Sequence, residues 1–480
     1  MSKKLIFGHP SGLITLAFTE LWERFSYFGM SAILLYYLYY SVTEGGIGLD
    51  PVLSTQIVAA YGSLVYLSGV LGGFVSDRLI GPYKTVAYGG GLILIGHVVL
   101  ALSTGITFLF LALTFIIIGT GLLKPNISTM IGLFYDKKDS RKDSAYTIFY
   151  LGINIGGFIS PILVGYLASA YNFHVGFLLA AIGMISGLLI FLTQKKRLKD
   201  EFFHPPKPLL KKDKEKLIKA IVAIFIFLLI ILAIIAFIDL DILLGYLNIE
   251  NITFLISFLV CSIIMGYFII ILRSKKMDKK EINNVIAYIP LYIGTVIFFI
   301  LFHQNSAVLV WFIDTNVSLG WILPAWFQSL NPILIIGLTP IFAVMWRKNM
   351  IKTDTNKFVL GLLLAGISFL ILALSLIFAG GRKIDSYWVV SFRIIITIAE
   401  LLISPIGLSL TSKVSPKAFH SEFMSLYLLT SSVAQAIGSM IIWFYKADKI
   451  AYFIILGIIP ILFGIMLFAF KSKINKLIDD

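Results

Sequence analysis

Three charged side chains, Glu20, Glu23 and Arg24, sit in a run that is otherwise mostly Leu, Ile, Phe, Ala and Tyr, from Leu13 to Tyr40. On a helix they occupy positions i, i+3 and i+4 and share one face, with Tyr27 one turn further on. Charge in hydrocarbon is costly and normally faces a cavity or another charge. A Glu20–Arg24 pair alone would staple helices together but leave Glu23 in need of a second cation. Lys124, in IGTGLLKPN, is the candidate partner, and Glu400, in IAELLISPIG, is a further acid inside an apolar run. With Arg24 and Lys124 on one wall of a cavity and Glu400 on the other, the chemistry suits a small zwitterion. Its carboxylate would face the first wall and its ammonium the second. Carboxylates whose proton affinity responds to their surroundings could carry protons. These residues point to an alternating-access carrier for a small dipolar solute.

The elements that must hold them are membrane helices. Of 480 residues, 59% are hydrophobic and 13% charged, and the mean hydropathy is +0.95. A soluble protein is about half apolar and a quarter charged. Fourteen apolar stretches are each long enough for a span of about 20 residues. They lie at 13–40, 54–76, 84–103, 106–131, 146–169, 174–193, 217–238, 251–272, 286–313, 320–346, 357–380, 387–411, 421–445 and 450–470. Alternation of period two is missing, so helices rather than a barrel are expected. The first run lacks a small-residue cleavage site and reads as an uncleaved span. Alternate connections collect 32 of the 39 Lys and Arg, which predicts an even number of spans with both termini cytoplasmic. The net charge of +14 is therefore topology; no nucleic-acid motif accompanies it. One cysteine, Cys261, excludes an internal disulfide framework.

The organisation is an all-α integral membrane protein in three parts. Residues 1–193 form a six-helix bundle. Residues 194–285 form a basic linker and two extra spans with no buried charge, expected to be peripheral or lipid-facing. Residues 286–480 form a second six-helix bundle with a cytoplasmic tail. Between spans two and three, GGFVSDRLIG places two glycines for close helix approach, with Asp77 and Arg78 at a helix mouth. That GG-x-x-x-DR pattern resembles the signature of the major facilitator superfamily.

ELWERFSYFGM resembles the E-x-x-E-R-F motif of the proton-dependent oligopeptide transporter family. GTGLLKPNIS (119–128), FYLGINIGGFISP (149–161), WFQSLNPI (326–333) and AELLISPIGLSL (399–410) resemble its other signatures, in the same order. The resemblance implies two six-helix bundles plus an extra helix pair, and inward movement of di- and tripeptides driven by protons. It gives Arg24 and Lys124 to the peptide carboxylate and the salt bridge, and Glu20 and Glu23 to the proton-linked motif. It gives Tyr27 and Tyr66 to cavity hydrogen bonds, and Asn154, Asn331 and Glu400 to the peptide's amino end. Peptides, protons and the lipid bilayer are the implied partners of a plasma-membrane monomer that needs no cofactor.

The departures are equally specific. Ser31 stands where the family has an arginine, and His303, in FHQNS, where it has a glutamate; Phe28 replaces a common tyrosine and Tyr427 a common tryptophan. An imidazole titrates near neutral pH, so His303 is expected to take over proton sensing. Arg393, seven residues before Glu400, is an intramembrane cation that could substitute for the lost arginine or snorkel to the surface. YYLYY at 36–40 reads as an interfacial aromatic belt. The six histidines lack metal-ligand spacing, and no nucleotide fingerprint supports an ATP-driven pump. Three other readings remain: a carrier of this fold for nitrate or an amino-acid derivative, a peptide facilitator or receptor with weakened coupling, and a membrane enzyme acting on lipid. The last would need acids at metal-ligand spacing near the interface, and Glu20 and Glu23 instead neighbour Arg24 near mid-span.

Overall fold

The computed structural model describes residues 5–6, 8–136, 139, 141–209, 249–274, 277–348 and 350–479. The expected span at 217–238 lies outside them, as does the end of the basic linker.

The first six helices are α1 (Ser11–Tyr39), α2 (Pro51–Val75), α3 (Pro82–Leu102), α4 (Ile106–Gly132), α5 (Arg141–Ala170) and α6 (Phe173–Thr193). Their limits follow local chemistry. Asp50 caps α2 by accepting from the amides of Val52 and Leu53, with Pro51 at the first helical position, where a missing N–H costs nothing. Asn172 caps α6 in the same way. Gly81, at φ +84°, ends the extension of α2 and lets Pro82 begin α3; only glycine takes that conformation cheaply. Gly72 answers the close-approach expectation, because a Cβ there would fall 1.8 Å from the Gly121 carbonyl of α4. Gly73 faces open space and plays no such part.

After the linker come α7 (Ile249–Leu272), α8 (Lys279–His303), α9 (Val308–Asn316), α10 (Leu330–Arg347), α11 (Asp354–Ala379), α12 (Ser386–Val414), α13 (His420–Ala447) and α14 (Lys449–Asp479). Eleven helical stretches among the described residues are long and apolar enough to cross a membrane; α1, with 29 residues, carries the charged motif. Two expectations need correction. The span expected at 286–313 is broken: α8 stops at His303, Gln304–Ser306 form a 3₁₀ turn, and Ala307 (φ −126°, ψ −104°) restarts the chain as α9. Short polar side chains compete with the helical ladder, and the freed Asn305 carbonyl is satisfied from outside, by Gln328 Nε2 at 3.1 Å and Arg393 Nη2 at 3.5 Å. The span expected at 320–346 opens with a 3₁₀ segment, Pro324–Ser329, before α10.

Two bundles result. In the first, α1 packs on α5 and α6, and α4 on α2 and α3; in the second, α11 packs on α12 and α14, and α8 on α13 and α14. The bundles meet along α2 against α13 and α5 against α10, with α7 lying on both α2 and α13. At the end poor in basic residues the seam is pinned. Tyr39 and Tyr40 hydroxyls donate to Asp314 (2.5 and 3.0 Å), and Lys446 pairs with Asp50 (3.1 Å); deeper in the seam, Ser329 Oγ donates to the Phe158 carbonyl (2.7 Å). Ser63 and Ser432 join the bundles at mid-height. At the basic end the linker folds back on the first bundle, burying Phe202 against Phe134 and donating its Lys207 amide to the Asp77 carbonyl.

Candidate functional site

A cavity of ≈ 260 Å³ lies between the bundles. The first bundle contributes Tyr27, Ser31, Tyr66, Tyr150 and Asn154, and the second contributes His303, Asn305, Gln328, Asn331, Arg393, Glu400 and Gln435. Tyr66, Tyr150 and Glu400 also border a second, mostly apolar cavity of ≈ 550 Å³ that runs between α10, α12 and α13 past Trp346, Leu408 and Tyr427. The pinned seam closes the site on the side poor in basic residues.

On the C-terminal wall, Asn331 Nδ2 donates to Glu400 Oε2 at 2.8 Å and to Thr397 Oγ1 at 3.1 Å. This leaves the carboxylate oriented with capacity to accept from a ligand, since an ionised carboxylate has about four acceptor sites. On the opposite wall, Asn154 Nδ2 donates to the Tyr150 carbonyl one turn back at 2.8 Å. Asn154 and Asn331 therefore face the same space from different bundles, and Tyr150, i−4 to Asn154, completes that face. Its spacing from Asn154 could have identified it in the sequence.

The E-x-x-E-R-F charges sit behind this lining. Glu20, Glu23 and Arg24 are 1%, 0% and 3% exposed and are not among the cavity-lining residues. Arg24 donates from Nε and Nη2 to both oxygens of Glu23, the second at 2.7 Å, and its Nε lies 3.2 Å from Glu20. The expected pairing of Glu23 with Lys124 is replaced by Arg24 bonding both acids, one cation against two carboxylates. A guanidinium presents several donors in a rigid fork and can bridge two carboxylates. Glu20 Oε2 has no partner among the described residues. The Arg24 guanidinium lies 5.1 Å from the Tyr27 ring centre, and Lys124 Nζ 4.6 Å from that of Tyr66. Both cations therefore reach the cavity across an aromatic face, in cation–π geometry.

His303 stacks on Phe299 (centroids 5.6 Å apart, planes at 23°) and meets Tyr66 edge-on at 5.8 Å; its Nε2 has no described partner. Arg393 is 1% exposed and lines the cavity, so the snorkelling expectation is overturned: α12 holds it in the protein interior rather than at an interface. Asp77 and Arg78 lie exposed on the α2–α3 connection, away from the cavity. Asn305, Gln328 and Gln435 were not singled out from the sequence. The polar run HQNS inside an apolar stretch was the available signal for the first.

Two helical bundles around a closed-ended polar cavity define a membrane carrier of the two-bundle, alternating-access class. The chain belongs to the POT family, whose pattern it matches over residues 83–459. It is 41% identical to the uncharacterized transporter YclF of Bacillus subtilis (strain 168), over 99% of this chain and 96% of that one. A di-/tripeptide transporter of Lactococcus lactis subsp. cremoris is 40% identical over 100% of this chain and 98% of its own. The crystal structure of a peptide transporter POT in complex with sulfate superposes with a TM-score of 0.95 at 41% identity, covering 99% of this chain and 97% of that one. These are transporters, not enzymes.

Proposed function

We propose that this protein imports di- and tripeptides by proton symport with alternating access. The observation that carries the reading is the cavity itself. Its oriented acid, Glu400 held by Asn331, faces Tyr27, Tyr66, Tyr150 and Asn154 across the seam between bundles. Glu400 takes the peptide's ammonium, assisted by Asn154 and Asn331. The tyrosines bond the peptide backbone, and Lys124 supplies positive potential through Tyr66. Glu20 and Glu23, which share the single cation Arg24, are the proton-linked acids; the Glu20 oxygen without a partner among the described residues is the site that accepts a proton. His303, between Phe299 and Tyr66, couples protonation to the cavity.

The basic end is cytoplasmic, which puts both termini inside and makes the pinned end the outer gate. The structure then corresponds to an inward-facing state in the plasma membrane. The protein acts as a monomer, in which Asp77 and Arg78 belong to the inner gating region. Competition against labelled dialanine tests the substrate class. Dipeptides and tripeptides should displace the label, while alanine and nitrate should not. Displacement by nitrate or alanine but not by peptides would assign the fold to a different solute.

A further inference from the structure

Arg393 is a buried guanidinium with too few partners. Its one described hydrogen bond runs from Nη2 to the Asn305 carbonyl at 3.5 Å, and its Nε has none. No ion pair among the described residues includes it. Arg24, equally buried, is held by two carboxylates. Beside Arg393, Asn305 is 7% exposed, and neither its amide nitrogen nor its amide oxygen has a described partner. Both residues line the cavity. A cation enclosed in low dielectric without an anion is costly, and a charge-assisted, bidentate bond to a carboxylate is what a guanidinium is shaped to make.

The position on α12 adds a length. Arg393 and Glu400 are seven residues apart, about 10 Å along the helix at 1.5 Å per residue, and nearly on one face, since seven residues drift by only about 20°. A dipeptide extends about 7 Å, with a hydrogen bond of about 3 Å at each end. Its reach is comparable with that spacing.

We propose that Arg393, with Asn305 beside it, is a carboxylate-accepting subsite of the cavity, a role that rests on the peptide-carrier reading above. Two parts of a peptide offer this chemistry: the C-terminal carboxylate, which would lay the zwitterion along α12, and an acidic side chain, which would leave the terminus to the Lys124 wall.

Binding of four probes to the purified full chain separates them: dialanine, dialanine amide, Ala-Glu and Ala-Gln, each on the wild type, Arg393→Gln and Arg393→Lys. If the terminus binds there, the amide loses about tenfold or more on the wild type and about twofold or less on Arg393→Gln. If a side chain binds there, Ala-Glu exceeds Ala-Gln by about tenfold on the wild type; that preference disappears in Arg393→Gln while the amide penalty stays. Arg393→Lys, which keeps the charge without the fork, should retain part of whichever preference exists. Because each readout is a ratio within one protein, a general loss of packing does not mimic it. Wild-type protein that binds all four probes equally overturns the subsite and leaves the peptide reading standing, even if Arg393→Gln cannot be purified. Preferences that persist undiminished in Arg393→Gln also overturn it. Binding of none of the four overturns both.

Discussion

Arg24 and Arg393 are each within a few per cent of complete burial, yet they live in opposite circumstances. Arg24 bonds two acids on its own helix, one cation against two carboxylates, in a compact charged unit screened from the cavity by Tyr27 and Phe28. Arg393 has a carbonyl at hydrogen-bond limit and a cavity in front of it. Its bundle's acid, Glu400, is held by an amide rather than by a cation. The N-terminal bundle thus pairs its buried cation internally, with one acid in excess, whereas the C-terminal bundle leaves one cation and one anion facing the space where a zwitterion would lie. An acid in excess of its counterion suits a group that exchanges a proton; charges without an ion-pair partner suit groups that wait for a ligand.

Breaking the compensated side should have the largest effect. Arg24→Gln strands two carboxylates about one helical turn apart, and removing one member of a buried ion network costs about 3–5 kcal/mol. The melting temperature of the purified protein should fall steeply and recover in part with the further change Glu23→Gln. An unchanged melting temperature would show that the acids do not depend on Arg24. On the uncompensated side, Glu400→Gln keeps the shape and removes the charge that receives the ammonium. A hydrogen bond to a charged group contributes about 1.5–3 kcal/mol, so dialanine affinity should drop by roughly ten- to a hundredfold with little change in melting.

His303 sharpens the contrast further. A proton moving down one pH unit supplies about 1.4 kcal/mol, enough for about tenfold accumulation. His303→Gln should reduce accumulation to equilibration while exchange of dialanine across the membrane continues; full accumulation in this variant would remove His303 from the coupling. Smallest of all is the pin at the end poor in basic residues. Lys446 and Asp50 are half-exposed or more, and such pairs contribute about 0.2–1 kcal/mol. A double-mutant cycle of Lys446→Gln and Asp50→Asn on thermal stability should return a coupling in that range.

What could be read from the sequence divides along the same line. Hydropathy located the helices, because lipid imposes length and apolarity on each span separately. It did not reveal the break at 304–307, since the flanking runs are apolar and the turn is sustained by Gln328 and Arg393 from distant segments. The i, i+4 spacing disclosed the Glu20–Arg24 pair; Glu23 and Arg24, adjacent in sequence, lie about 100° apart around that shared side, so spacing did not disclose their bond. Only the length of the arginine side chain allows it to turn back onto Glu23. Glu400 and Tyr27 were legible as a polar and an aromatic position in apolar spans, whereas Tyr66, Asn154 and Asn331 came from the family resemblance. That Arg393 lacks an ion-pair partner among the described residues was not legible, because pairing is a property of the packed molecule.

The most direct test of the account is uptake of labelled dialanine into liposomes carrying the purified protein, with and without an inward proton gradient. Accumulation above equilibrium that appears only with the gradient is the predicted result. Uptake that merely equilibrates under the same gradient would contradict symport and leave a facilitator, and no uptake at all would contradict the assignment to peptides.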